Sequence, residues 1–367
     1  MTSFEGLILG IETSCDDTAC AVVDTAGKVL SSVVSSQLDE HRPYGGVVPE
    51  IASREHLRNW PAVLAEALGR ANLDLETVDA VAATRAPGLI GSLLVGLSLG
   101  KALARGLEKP FYGVHHLEGH LYSPFLKPAK QVADVAPERF VALVVSGGHT
   151  ALYRVVKGDI TTLAETRDDA MGEVFDKVGK RLGLLYPQGP QVDEIAEGWA
   201  EPGQRFSIAR CRDGSLDFSF SGLKTETLRA LDRLLARVPA QAPDKLVSGP
   251  GEMTSDELVR AEGVRAVLAG FREAAVGQIL NRLDRLFRQE TFETLAVSGG
   301  AAANRLLRRR LPDWAAERTV DLRLVALTFS GDNAAMIAHA AGKRLLAGDR
   351  GDFSSVEAAS RLALGSP

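Results

Sequence analysis

The stretch VHHLEGH, Val114 to His120, holds three of the chain's seven histidines. His116 and His120 stand four residues apart, so on a helix they project from one face and can share a metal ion. Zinc proteases reach that geometry through H-E-x-x-H, where the glutamate beside the first histidine is the general base. Here the order is H-L-E-G-H: Glu118 sits one position further on and points elsewhere, which weakens a protease assignment. A histidine pair also needs a third ligand from a distant segment. Asp332, in SGDNAAMIA, is the candidate, although at a helix start its simplest role is an N-cap.

A second pattern concerns phosphate. VSGG occurs at Val145–Gly148 and again at Val297–Gly300, each time after an apolar run that reads as a strand. Glycines there admit a bulky ligand to the backbone, and the N–H groups of the following turn can hold phosphate. One copy alone is an ordinary strand-end turn; two copies at equivalent ends of two similar units suggest the two walls of a nucleotide cleft. The second copy continues as SGGAAANRLLRRR, where Asn304 offers a donor and an acceptor to an adenine or ribose, or else starts a helix. No P-loop is present: GLSLGKAL lacks the first glycine and has Ala102 after Lys101. GIETSCDD also lacks the Asp-x-Gly turn of sugar kinases, so ordinary ATP turnover is not signalled.

The elements that must position these residues come in two similar sets. LILGIETSCDDTACAVVDTAGKVLSS and FVALVVSGGHTALYRVVKGDITTLAE each read as strand, tight turn, strand, glycine turn, strand. The first is followed by a helix from Pro49, the strand VDAVAAT and a helix through GSLLVGLSLGKALARG. The second is followed by a helix over Met171 to Leu185, long helices from near Ser221 and Glu257, and the strand TLAVSGG. A repeated supersecondary plan predicts an α/β fold of two duplicated lobes around a central cleft. Residues 1–115 form the first lobe, to which a C-terminal helix over 333–367 returns, and 116–332 form the second. A Pro- and Gly-rich surface insertion near 239–254 interrupts the second lobe.

A length of 367 residues fits two domains, and 45% hydrophobic with 24% charged content describes a globular chain. Cys15, Cys20 and Cys211 form no disulfide framework, which points to a reducing compartment. The N-terminus shows neither a basic leader nor a membrane-length apolar run, and cytoplasmic residence is the expectation. A net charge of −5 disfavours non-specific polyanion binding but leaves room for a local basic patch, such as NRLLRRRL or the group Lys177, Lys180 and Arg181.

GIETSCDDT, YGGVVPEIASREH, HHLEGH, VVSGGHT, GEVFDKVGKRLGL, FSFSGLK, SGGAAANR and DNAAMIA follow one another in the order seen in the TsaD family. The chain thus resembles the bacterial type of the tRNA N6-adenosine threonylcarbamoyltransferases, formerly known as O-sialoglycoprotein endopeptidases, over nearly its whole length. The resemblance implies a fold like actin, hexokinase and the chaperone ATPases. It implies an iron ion, with zinc as the alternative, on His116, His120 and Asp332. Contacts to threonylcarbamoyl-AMP would fall on Val144, Val145, Ser146, Gly147 and Gly148, and on Asp176, Gly189, Asp193 and Asn304. The implied reaction moves the threonylcarbamoyl group to N6 of adenosine 37 in tRNAs reading ANN codons, with a paralogous actin-like partner protein and a small ATPase as helpers and no membrane. The apolar faces of Pro49–Ala71 and Gly91–Gly106 are the candidate partner surfaces. Three positions depart from the family pattern: Gln188 replaces the first glycine of Y-P-G-G-P, Gly331 replaces a threonine, and TRAPGL replaces a Gly-Pro-Gly. No general base stands out. Asp16, with Glu12 behind it, is the candidate, though either could cap its turn, and His149 is as consistent with a structural role as with a functional one.

Overall fold

Every side chain of LILGIE is buried, which a strand achieves only with packing on both of its faces. This strand, β1 (Leu7–Glu12), is the centre of the first sheet. It pairs antiparallel with β2 (Asp17–Asp24), which pairs with β3 (Lys28–Ser36), and parallel with β4 (Ala80–Ala86), which pairs with β5 (Phe111–His115). With the short β6 (Lys127–Pro128) the order is β5-β4-β1-β2-β3-β6. The second sheet repeats the plan around β7 (Arg139–Val145), with β8 (Thr150–Val156), β9 (Asp159–Glu165), β10 (Thr294–Ser298) and β11 (Asp321–Leu324) in the order β11-β10-β7-β8-β9. The structure, a computed structural model, describes residues 6–131, 134–197, 199, 204–209, 211, 213–235 and 255–365, without the side chains of 255–260. The insertion expected near 239–254 lies outside the described residues.

Among the described residues the α-helices are α1 (Leu38–His41), α2 (Pro49–Ala71), α3 (Ile90–Gly106), α4 (His116–Tyr122), α5 (Met171–Arg181), α6 (Gly189–Glu197), α7 (Ser221–Leu235), α8 (Ser255–Gln289), α9 (Arg305–Ala316) and α10 (Ala334–Leu346). α2 and α3 cover one face of the first sheet, where Leu7, Leu9 and Ile11 meet Trp60, Val63 and Leu97. The helices α5 to α9 belong to the core on the outer face of the second sheet. Between the sheets lies a third core, in which α4 and α10 are sandwiched: Ile8, Ala21 and Val114 face them from one side, Ala142, Val144 and Ala296 from the other. The residues expected to bind metal are carried on, or next to, these two central helices.

Two expectations are adjusted. The helix read over Met171 to Leu185 stops at Arg181, and Gly183 then takes a positive φ of 77°. The C-terminal helix ends at Leu346, not at the chain end. Beyond it the chain runs back along β4 and β5 as an irregular strap. Asp352 N–H donates to the Phe111 carbonyl, Ala359 N–H to Arg85, and Gly88 N–H to Ser360.

The close approach of α10 to β1 depends on Gly10. A Cβ at that position would run into the Ala334 carbonyl oxygen and Ala338. Gly10→Ala is therefore expected to destabilise the protein by about 1–3 kcal/mol, the usual range for overpacking a tight contact. Denaturant unfolding checks it, and a wild-type midpoint would show that α10 moves away at no cost.

Candidate active site

β5 ends at His115, and the chain turns directly into α4, whose N-terminus is capped by His115 Nδ1 accepting from Leu117 N–H. One helical turn then carries His116 and His120, with rings 4.8 Å apart in a T-shaped arrangement. Asp332 arrives from the other central helix. Asn333, not Asp332, is the N-cap of α10 and accepts from Met336 N–H, so the aspartate is released from that role. His116 Nε2 and His120 Nε2 each lie 3.3 Å from Asp332 Oδ1, and one ligand atom from each residue falls within 4.8 Å of the others.

This donor set fits a metal ion. Bonds near 2.1 Å at a tetrahedral angle put ligand atoms about 3.4 Å apart, close to the spacing observed. His120 is fully buried, yet neither of its ring nitrogens makes a hydrogen bond. An orphaned imidazole nitrogen aimed at a carboxylate is costly in a core and is explained by an ion between them.

His116 is oriented from behind. Glu12, buried at the end of β1, places Oε2 3.1 Å from His116 Nδ1, and Ser14 Oγ is 3.3 Å from the same nitrogen. Thr84 donates to Glu12 Oε2 and Ser14 N–H to Oε1, each at 2.5 Å. Burial pushes Glu12 up, but the positive His116 beside it outweighs that and holds the carboxyl below its ordinary value. Burial pulls His116 down, and the two carboxylates flanking it, Asp332 and Glu12, raise it well above an ordinary histidine. Glu12, expected behind Asp16 or as a cap of its turn, accepts from Ser14 N–H in that turn and also stands behind His116. The signal was available only in the strand period, which turns Glu12 and Gly10 toward the same face as Ile8.

The cleft next to the triad is a cavity of about 740 Å³. It is bordered by the Ser14–Asp17 turn and Gly88 on one side, by Ser146–His149 and Gly300 on the other, and by His116 and Asp332 at its floor. Asp16 borders it. Asp17 does too; burial and the neighbouring Asp16 raise its pKa to about 7 against a hydrogen bond from Ser36. His149 lines the cleft with a pKa pulled down to about 4 by burial and by the positive His116, so it is a neutral wall residue. Glu118 borders neither this cavity nor its neighbour. The strap supplies two residues unforeseen in the sequence, Ser360 and Arg361.

A second cavity of about 730 Å³ adjoins the first, and Gly147, Asp176 and Gly300 border both. It also contains Gly189, Asp193 and Asn304, so these positions come together as expected. Val144 and Val145 border neither cavity: both side chains are fully buried in β7, and the cavity wall starts at Ser146. Asp176 Oδ1 accepts from Gln188 N–H at 3.0 Å and Gly189 N–H at 2.7 Å, which fixes the loop where Gln188 departs from the family pattern. Gln188 itself is buried, so the substitution is accommodated inside the loop. Asn304 makes the helix-start bond, Oδ1 accepting from Leu307 N–H at 3.0 Å, and also donates to Asp193 Oδ1 at 2.8 Å. Asp193 is held further by Arg305 N–H and the buried Arg272.

The two VSGG copies are not on opposite lobes. They end β7 and β10, adjacent parallel strands of one sheet with Ser298 beside Val144. At Gly299 (φ 95°) a side chain would collide with the Val145 carbonyl, so the glycines let the two turns lie against each other. The first-lobe counterpart is the Ser14–Asp17 turn, whose sequence shares nothing with VSGG.

Two sheets of one strand order, enclosing a cleft, define the actin/hexokinase-like ATPase class of fold. The chain superposes with a TM-score of 0.50 on the Acidaminococcus fermentans (R)-2-hydroxyglutaryl-CoA dehydratase component A, covering 93% of this chain and 99% of that one at 12% identity. Within this class, the profile of TsaD, tRNA N6-adenosine threonylcarbamoyltransferase, matches residues 28–339, and the chain belongs to that family. A tRNA N6-adenosine threonylcarbamoyltransferase of Burkholderia multivorans is 43% identical over 340 residues, 92% of each chain. One from Syntrophobacter fumaroxidans is 44% identical over 336 residues, 91% of this chain and 93% of that one.

Two outcomes are expected. His116→Ala with His120→Ala should abolish tight metal binding; full metal content in the double variant by elemental analysis would refute the triad. In chelator-treated protein, Asp17 has a folded pKa near 7 against about 3.9 unfolded, so stability fully present below about pH 4 is lost as pH rises from there to 7. With partial exposure discounting the full shift, the loss is roughly 1–3 kcal/mol. Asp17→Asn should flatten this decline between about pH 4 and 7, and parallel unfolding curves for both proteins over that range would contradict it.

Proposed function

We propose that the chain transfers the threonylcarbamoyl group from threonylcarbamoyl-AMP to N6 of adenosine 37 in tRNAs reading ANN codons, forming t6A and releasing AMP. The observation that carries this is family membership together with a metal triad and a nucleotide-sized cavity that open into each other. An exocyclic amine is a weak nucleophile because its lone pair is delocalised into the ring, so the acyl donor must be activated and held in line. N6 attacks the carbamoyl carbon, the bond to phosphate breaks, AMP leaves with the electron pair, and the amine gives up a proton.

The adenylate's nucleoside end occupies the cavity of Gly189, Pro190, Asp193, Ala301 and Asn304, with Asp176 at its junction with the triad. Ser146, Gly147, Gly148 and Gly300 offer fixed backbone dipoles to the phosphate and the carbonyl. His116, His120 and Asp332 would hold iron(II), with zinc as the alternative, and such an ion supplies Lewis acidity to acyl or phosphate oxygens. Asp16, across the cleft from Gly148, is the group assigned to take the amine proton. A peptidase reading has no comparable support, because Glu118 lies away from the cleft.

Docking of tRNA is shared with partner chains on this view. The basic clusters are largely neutralised within the molecule. Arg309 pairs with Glu197, Arg310 with Glu273, Lys177 with Asp169 and Glu173, and Arg181 with Asp232. The adjacent helices α2 and α3 instead present Leu57, Ile90 and Leu94, each about half exposed, as an apolar face for a paralogous partner. A small ATPase completes the proposed assembly. Among the described residues no helix is long and apolar enough to cross a membrane, and cytoplasmic residence is proposed with the tRNA substrate.

Incubation with threonylcarbamoyl-AMP, tRNA and these partners, followed by nuclease digestion and mass spectrometry, should reveal t6A. Asp176→Ala should weaken binding of a non-hydrolysable adenylate analogue at least tenfold in calorimetry. Absence of t6A with the complete set, or wild-type affinity in the variant, would count against the assignment.

A further inference from the structure

GIETSCDDT and YGGVVPEIASREH, two separated motifs, meet in a buried polar network of the first lobe that the chemistry above does not use. Thr18, Gln37, His41 and His56 are all fully buried. His56, on the inner side of α2, has Nε2 3.0 Å from the Cys15 carbonyl oxygen and must donate there. Its Nδ1 is then the acceptor, and it receives Thr18 O–H at 2.8 Å and Gln37 Nε2–H at 3.2 Å. Gln37 Oε1 accepts from His41 Nε2 at 3.3 Å, and His41 Nδ1 accepts from Val48 N–H at 3.3 Å. With both histidines neutral, every one of these donors finds an acceptor, so a single proton arrangement satisfies the whole chain.

The network ends on the catalytic turn. The Cys15 carbonyl is held by His56, and the next carbonyl, that of Asp16, accepts from Gln37 N–H at 3.0 Å. Two consecutive carbonyls of the turn that carries Asp16 and Asp17 into the cleft are therefore fixed from behind. At its other end the network holds His41 and Val48, which bracket the turn Arg42–Tyr44 and Gly45 at the cleft rim. Leu57, the residue after His56, is exposed on the same helix.

We propose that His56 is a positioning residue for the transfer: through the Cys15 carbonyl it sets where Asp16 stands in the cleft, and through Gln37 and His41 it ties that setting to the rim and to α2. The proposal rests on the acyl-transfer function above. His56→Leu removes the donor to Cys15, whereas His56→Gln can restore it, because the glutamine amide reaches the place of Nε2. In the complete assembly, His56→Leu should lower kcat for t6A formation about 10- to 100-fold. Adenylate affinity and metal content should stay within twofold of wild type, and amide exchange over residues 14–18 should quicken. His56→Gln should recover kcat to within about threefold and slow that exchange again.

Wild-type kcat in His56→Leu, or equal losses in the leucine and glutamine variants, would overturn the proposal while leaving the function intact. No t6A from the wild-type assembly would instead sink the function, and the proposal with it. If His56→Leu does not fold, Thr18→Val, which removes only the hydroxyl orienting Nδ1, decides. A several-fold drop in kcat with unchanged adenylate affinity supports the proposal, and an unchanged kcat refutes it.

Discussion

The contact between His116 and the two carboxylates on either side of it organises this molecule. Glu12 ends the central strand of one sheet, and Asp332 precedes the helix packed between the sheets. A buried carboxylate is tolerated only when paired and hydrogen-bonded, and Glu12 meets that condition through His116, Ser14 and Thr84. Holding these groups in register requires α4 and α10 to be seated at once on β1, β4 and β5 and on the second sheet. The apolar core between the sheets and the polar site at its edge are thus one construction problem. Gly10 shows how tightly it is solved, since even a methyl group on the strand would displace the helix that presents the aspartate.

The cleft divides its labour between two kinds of group. Its triad end is made of side chains whose charge states depend on one another. Its other end combines glycines at the ends of β7 and β10 with apolar side chains such as Phe175 and Leu327, backed by Asp193, Asn304 and the buried Arg272. Gly147, Asp176 and Gly300 stand where the two ends join. Such a division suits a donor with a charged leaving group at one side of its reacting carbon and an amine approaching from the other.

How much of this could be read from the residues depended on whether the information was local. The i, i+4 histidines, the apolar strands followed by glycines and the repeated strand-turn-strand plan are local patterns, and they located the histidine pair, the turn residues and the fold. Pairing between distant strands is not local. That β7 and β10 are neighbours, so that both VSGG turns share one wall, follows from the crossover through the helices between them and not from the motif. Glu12 caps its turn through Ser14 N–H, one of the roles open to it, but its pairing with His116 is not local, since that partner lies 104 residues away. Val144 and Val145 carried the pattern of a binding strand, yet strand burial turns their side chains into the core. The cleft residues of the strap, Ser360 and Arg361, had no composition or periodicity to mark them.

The sandwiching of α10 has a consequence for how the protein comes to exist on a ribosome. Synthesis runs from the N-terminus, so the first sheet is complete in the nascent chain some 200 residues before the helix that covers its inner face has been made. Until then Ile8, Ala21, Val23, Ala82 and Val114 lack the helix that packs on them, and the histidine pair lacks its aspartate. The first lobe is therefore an incomplete folding unit until α10, some 200 residues further along the sequence, has packed against it. Packing of α10 then closes that sheet face and brings Asp332 to the histidine pair in one step, so the core and the triad are completed together.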